Sequence, residues 1–181
     1  MTVYLIRHGK TAGNLTGRYI GTTDEPLCSQ GTAELQTRAY PAVQRVFVSP
    51  MKRCRETASL LYPDVKQTVG PDLRECDFGL FEGKNYAELT GRADYQAWID
   101  SGGELPFPEG ESRKSFAARC VAAFRQAMET VTEEDAAFVA HGGTIMAIME
   151  ACAKPPQNYF CWQVKCGDGF ALEADGSWRK L

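Results

Sequence analysis

The chain has 181 residues, 44% of them hydrophobic and 24% charged, enough material for one domain with a full core. A net charge of −3 offers no basic surface for nucleic acid, and no apolar run approaches the length of a membrane span. Seven cysteines without a CxxC pair suggest neither a zinc ribbon nor a disulfide framework, and read as free thiols in a reducing, cytoplasmic compartment.

The first predicted element is a strand, Val3 to Ile6, an apolar run with β-branched and aromatic content. No basic and apolar leader precedes it, so no signal peptide is expected. The run stops at Arg7-His8-Gly9-Lys10-Thr11, with Asn14 close behind. Open α/β sheets carry their chemistry at the carboxyl ends of strands, so Arg7 and His8 are candidate site residues. Taken alone, a histidine at a strand end is more often a surface residue than a site. The loop from Leu15 to Leu27 is polar and glycine-rich, suited to wrapping a ligand, with Thr22 a candidate contact. Ser29 can cap a helix running to about Ala39.

Val46 to Val48 is a second short buried strand. Ser49 is a good N-cap, and Pro50 fits the first helical position, where its missing N–H costs nothing. Arg53 then lies in the first turn, beside free backbone N–H groups and the positive end of the helix dipole, a combination that binds phosphate. Arg55, two residues on, points elsewhere. Residues 1–55 hold eight Lys and Arg against three Asp and Glu, the remainder 12 against 20. That suits a cationic pocket for a small anion, although ordinary scatter would give the same count.

Leu73 to Gly83 contributes three carboxylates, Glu75, Asp77 and Glu82. Residues 84–112 interleave Tyr86, Tyr95, Trp98 and Phe107 with glycines and prolines, which predicts a short amphipathic helix inside an irregular excursion. Ser112 caps a long amphipathic helix through Phe116, Cys120, Phe124 and Met128, read as core packing. The strand Phe138 to Ala140 then runs into His141-Gly142-Gly143. A helix from Thr144 to Cys152 follows, stopped by Lys154-Pro155-Pro156. Gly169 to Glu173 and the turn at Ala174–Ser177 predict a final hairpin.

Two strands ending in histidine, with no third histidine in the chain, point to both meeting at one edge of one sheet. Arg7-His8-Gly9 with Thr11 and Asn14 resembles the signature of the histidine phosphatase superfamily, the phosphoglycerate-mutase-like proteins. Ser49-Pro50, Arg53, Thr57 and Ala58 resemble a second element of that family, and the likeness covers nearly the whole chain. It implies an α/β fold: a three-layer α/β/α sandwich on a mostly parallel central sheet, one domain over residues 1–181. Residues 84–112 would lie over the pocket as a substrate excursion. By the same resemblance and the chemistry it requires, His8 is the nucleophile, and Arg7, Arg53 and His141 hold the phosphoryl group. Asn14 and the Gly142 backbone add hydrogen bonds. Glu75, preferred to Glu82, is the proton donor.

The chemistry is coherent. A neutral imidazole is a good nucleophile near pH 7, and a phosphohistidine intermediate splits one hard displacement into two easier ones. Arginine forks and helix N-termini can hold the charge of the transferring group, so neither metal nor cofactor is required. Other phosphatase chemistries lack their residues: no cysteine is followed by Arg at the sixth position, and no Asp-x-Asp pair or Walker A loop is present. Mutases of the family are typically longer, so the compact chain reads as a phosphatase acting on a small phosphorylated metabolite. It looks like the bacterial α-ribazole-5'-phosphate phosphatases and equally like broad-specificity members. Mutase-type transfer and a non-catalytic phosphate sensor are the alternatives. Lys10 departs from the Glu or Gln common in the family at that place, and Phe81 from its frequent Trp. No residue points to an oligomeric state, although an edge strand or an apolar helix could serve a homodimer.

Overall fold

A computed structural model describes all residues from Met1 to Leu181. The elements in chain order are β1 (Thr2–Arg7), α1 (Ala12–Leu15), α2 (Ser29–Gln36), β2 (Arg45–Val48), α3 (Lys52–Leu61) and β3 (Gln67–Val69). They continue with α4 (Tyr86–Leu89), α5 (Ala93–Asp100), α6 (Arg113–Met128), β4 (Ala136–Ala140), α7 (Gly142–Cys152), β5 (Gly169–Glu173) and β6 (Trp178–Lys180). The sheet order is β3-β2-β4-β1-β5-β6. The first four strands are parallel, and β5 and β6 add an antiparallel edge.

Both faces of the sheet are covered, which gives the three layers. Val3 and Leu5 pack with Phe138, Phe170, Phe124, Ile145 and Ile148 on the α6 and α7 side. Tyr4 and Ile6 pack with Val46, Val139, Cys54 and Ala58 on the α3 side. A strand buried on both faces needs apolar residues at every position, so Val3 to Ile6 is a continuous apolar run without alternation. Each fully buried side chain such as Leu5 or Phe138 contributes roughly 2 kcal/mol. A third cluster, including Phe81, Leu89, Phe107 and Phe116, ties residues 84–112 to α6.

Three helix starts differ from expectation. The cap of α2 is Cys28, whose Sγ accepts the Gly31 N–H at 3.4 Å, and the helix ends at Gln36, not near Ala39. Helix α3 starts at Lys52, after Ser49 and Pro50, and its cap residue Met51 makes no side-chain cap bond. Asp24 supplies the missing acceptor from a distant loop, taking the Lys52 N–H at 2.7 Å. Arg53 still falls in the first turn. Helix α7 begins at Gly142, two residues before Thr144, with His141 itself as the cap residue. The Ser112 cap on α6 is as expected, its Oγ accepting the Ser115 N–H at 3.1 Å. No helix is long and apolar enough to cross a membrane. All seven cysteines are free thiols.

Candidate active site

Three neighbouring strands deliver the floor of the site. In the order β2-β4-β1 they end at Ser49, His141 and His8, with Arg7 in register opposite Ala140. The ladder continues one step past the strands: His8 N–H donates to Ala140 O at 3.0 Å, and Ser49 N–H to Val139 O at 3.1 Å. The two imidazole centroids therefore stand 5.2 Å apart, edge to face.

His8 is 3% exposed, and its Nδ1 lies 2.7 Å from Gly9 O. A carbonyl only accepts, so Nδ1 carries the proton. Burial, reinforced by Arg53 and Arg7, pushes the His8 pKa well below its ordinary value, and the ring is neutral. Nε2 is then the nitrogen with the free lone pair. The Gly9 that fixes this tautomer is itself held by Thr57, whose Oγ1 accepts the Gly9 N–H at 3.0 Å. His141 is fully buried and likewise shifted down by burial, then by Arg53 and His8. Its Nε2 is 2.7 Å from Ser49 Oγ, with Cys54 Sγ at 3.5 Å. The same Ser49 hydroxyl also accepts the N–H of Met51, the cap residue of α3, at 3.4 Å.

The two arginines differ in setting. Arg7 Nη1 donates to Val164 O at 2.7 Å, and its guanidinium lies over the start of α7, where a Cβ on Gly142 would come within 3.4 Å of Cζ. Arg53 is fully buried and holds the preceding loop by Nη1 to Thr23 O at 2.7 Å and Nη2 to Gly21 O at 3.0 Å. The Nε atoms of both arginines are buried without a partner. Unpartnered buried donors are costly, and an anion seated between them would relieve the cost.

Glu75 faces them from the segment before residue 79. Its Oε1 accepts the Cys76 N–H at 3.0 Å and its Oε2 the Gly143 N–H at 3.1 Å. Burial raises its pKa; the two backbone hydrogen bonds and Arg7 and Arg53 work the other way without cancelling it. The carboxyl therefore holds its proton to higher pH than an exposed glutamate. Glu82 does not share this place. It is a brace, accepting the N–H groups of Gly21 and Thr23, each at 2.9 Å, and so fixing the loop that Arg53 also grips. That loop presses so closely on the chain after Glu75 that a Cβ at Gly21 would stand 1.9 Å from Cys76 O. Asp77 is also structural, accepting the Gly79 N–H at 2.9 Å.

A cavity of about 410 Å³ opens above this floor. Arg7, Glu75, Gly142 and Gly143 reach its wall, whereas His8, Arg53 and His141 are buried behind it. Two expected contacts are not on the wall. Asn14 turns Oδ1 onto Thr11, accepting its backbone N–H at 3.1 Å and closing the cap of α1. Thr22 is exposed at the loop tip, displaced from the pocket because the loop is anchored through its neighbours. The outer wall is aromatic: Tyr19, Phe78, Trp98, Phe107, Phe116, Tyr159 and Phe160. Trp98 and Phe107 come from the excursion, with ring centroids 5.0 Å apart, whereas Tyr86 is 72% exposed and takes no part. Helix α6 is more than core packing, since Arg113 and Phe116 both line the cavity. The Arg113 guanidinium sits 5.4 Å from the Tyr159 ring and pairs with Glu104. Nowhere do three or more His, Cys, Asp or Glu side chains converge to hold a metal ion.

Sequence reasoning missed Ser49 as the partner of His141, Gly143 as the donor to Glu75, and Tyr159 and Phe160 on the wall. None had a local signal, because each contact spans at least 16 residues and most span 60 or more.

Paired neutral imidazoles among cationic groups, opposite a carboxyl whose pKa burial raises, suit phosphoryl transfer on an α/β sandwich. Comparison with known proteins agrees. The profile of the histidine phosphatase superfamily (branch 1) matches residues 3–175. The chain belongs to that family and is a phosphatase of its type. It is 27% identical to the adenosylcobalamin/alpha-ribazole phosphatase of Salmonella typhimurium, over 96% of this chain and 90% of that protein. It is 32% identical to a 2,3-bisphosphoglycerate-dependent phosphoglycerate mutase of Gloeobacter violaceus, over 98% and 88% respectively. The solved alpha-ribazole phosphatase of Shigella flexneri shares the fold with a TM-score of 0.85 at 24% identity, covering 96% of this chain and 90% of that one.

Proposed function

We propose that the chain, acting as one domain, hydrolyses small phosphomonoesters through a phosphohistidine on His8. The observation that carries this is the His8 tautomer: a buried neutral ring whose Nδ1–H is committed to Gly9 O, leaving Nε2 to attack. In the first step Nε2 bonds to phosphorus and the ester P–O bond breaks, while Glu75 passes its proton to the departing oxygen. Arg7, Arg53, His141 and the N-terminal end of α7 at Gly142 offset the charge on the transferring oxygens. In the second step Glu75, now ionised, takes a proton from water as its oxygen attacks phosphorus; the P–N bond breaks, releasing phosphate and neutral His8.

The aromatic wall supports a leaving group with a planar apolar part, and α-ribazole-5'-phosphate is the first substrate to try. A bisphosphate, as a mutase holds, would need cationic groups on the outer wall. There Arg113 already has Glu104 as its counter-ion. Seven free thiols are consistent with a reducing cytoplasmic setting.

The test is hydrolysis of p-nitrophenyl phosphate and of α-ribazole phosphate by wild type and His8→Ala, with acid quenching of the wild-type reaction. Loss of turnover in His8→Ala, together with acid-labile, base-stable phosphate on the wild-type chain, is the expected result. Undiminished turnover in His8→Ala would end the assignment.

A further inference from the structure

Arg119 lies outside the cavity, on the face of α6 turned toward the segment that carries Glu75. Its side chain is only 14% exposed, and all five of its N–H donors are engaged. Nε donates to Glu111 Oε1 and Nη2 to Glu111 Oε2, both at 2.7 Å. Nη1 donates to Asp72 O at 2.9 Å and to Arg74 O at 2.8 Å, and Nη2 donates to Glu75 O at 2.9 Å. The guanidinium carbon also lies over the Phe116 ring, 4.8 Å from its centroid. Arg74 and Glu75 lie outside every strand and helix, so their carbonyls have no ladder to join. One fork takes the place of a ladder.

The opposite side of the same segment is fixed by Glu111. Its Oε2 accepts the Asp77 N–H at 3.0 Å, and its own backbone N–H donates to Asp77 O at 2.9 Å. Burial works to raise the Glu111 carboxyl, yet its bonds from Arg119 and from Asp77 hold it below its ordinary value, so the pair is charged at neutral pH. Arg119 and Glu111 thus grip residues 72–77 from both flanks, while Cys76 and Gly143 grip the Glu75 carboxyl at its tip.

We propose that Arg119 is a positioning residue for proton transfer: its fork fixes the backbone of residues 72–75 so that the Glu75 carboxyl stands at the leaving-group oxygen. This rests on the reading of Glu75 as the proton donor. A lysine keeps the charge but has a point ammonium with three donors, so it cannot span three carbonyls and a carboxylate in one plane. A displacement of about 1 Å at a catalytic group can cost on the order of a hundredfold.

Leaving groups separate positioning from general destabilisation. An alkyl phosphate needs a proton on its departing oxygen, whereas p-nitrophenolate departs as the anion. The kcat/KM value reports the first transfer alone, so the alkyl-to-aryl ratio of kcat/KM isolates the acid. Arg119→Lys is expected to lower that ratio on the order of tenfold, part of the 10²- to 10⁴-fold that general acid catalysis supplies. Glu75→Gln is expected to lower it further, and the double variant to go no lower than Glu75→Gln alone. Equal losses on both substrates in Arg119→Lys, or full additivity in the double variant, would overturn the proposal. Should Arg119→Lys not fold, Glu111→Gln is read by the same ratio, with a fall supporting the proposal and equal losses overturning it. A Glu75→Gln variant with an unchanged ratio removes the proton-donor reading and the Arg119 proposal with it. An altered ratio there beside an unaltered one in Arg119→Lys removes the proposal alone.

Discussion

Replacing Gly143 by alanine tests how tightly the Glu75 carboxyl is constrained. A Cβ at that position would stand 2.4 Å from Glu75 Oε1 and 3.0 Å from two carbons of the Phe116 ring. The Phe116 ring, 1% exposed in its cluster, is at 3.0 Å and needs to give little. The Glu75 carboxyl is the closer contact and the far end of a flexible side chain, so the carboxyl yields. Ordinary contact is restored only when the oxygen moves by about 1 Å. That motion breaks the 3.1 Å bond to Gly143 N and strains the 3.0 Å bond to Cys76 N. A glycine in a helix costs up to about 1 kcal/mol relative to alanine, so the gain in helix propensity offsets part of the lost hydrogen bonding. The expected outcome is a melting temperature close to wild type. The alkyl-phosphate kcat/KM should fall on the order of a hundredfold, about 2.7 kcal/mol of transition-state stabilisation. Steady-state kinetics on an alkyl phosphate and thermal denaturation of the same sample measure both quantities. Alkyl-phosphate turnover within threefold of wild type in a folded variant would refute the reasoning, since the carboxyl would then tolerate displacement.

Two further outcomes follow from buried groups. His8 and His141 have folded pKa values well below their ordinary 6.5, so below pH 6.5 the unfolded chain binds protons that the native state does not. Their contribution is fully present above pH 6.5 and is lost on acidification, by up to about 1.4 kcal/mol per pH unit for each ring. Glu75 runs the other way: its folded pKa is raised from 4.5, so its contribution fades as pH rises through the folded value and opposes the histidines in the window above 4.5. Melting temperatures from pH 8 to pH 5 should fall below about 6.5, more steeply in Glu75→Gln; a flat or rising profile would contradict the two buried neutral rings. Ser49→Ala removes the 2.7 Å partner of His141, both side chains being fully buried. A loss of about 1–3 kcal/mol is expected, a melting shift of roughly 5 °C, together with a lower kcat, and unchanged values of both would mean His141 does not depend on that hydroxyl.

What the amino-acid order alone determined is local. A continuous apolar run stopped by Arg7-His8-Gly9, and another stopped by His141-Gly142, mark two strands buried on both faces that hand polar groups to one sheet edge. Hydrophobic period and chain punctuation are properties of adjacent residues, so strands, the long α6 and the closing hairpin could be read without coordinates. The start of α3 could not, because the Lys52 N–H is taken by Asp24 from 28 residues away, and the Ser49 hydroxyl, which still accepts the Met51 N–H, is also engaged by an imidazole 92 residues away. Glu75 and Glu82 likewise look alike in a list of residues. Burial and two N–H donors hold one at the cavity wall, while the other is drawn onto the Gly21 loop. The arginine fork at Arg119 depends on where three carbonyls and a carboxylate from different segments happen to converge. Side-chain type limits which bonds can form, but only tertiary packing decides which partners lie within 3 Å, and that decision separates a structural carboxylate from a candidate catalytic one.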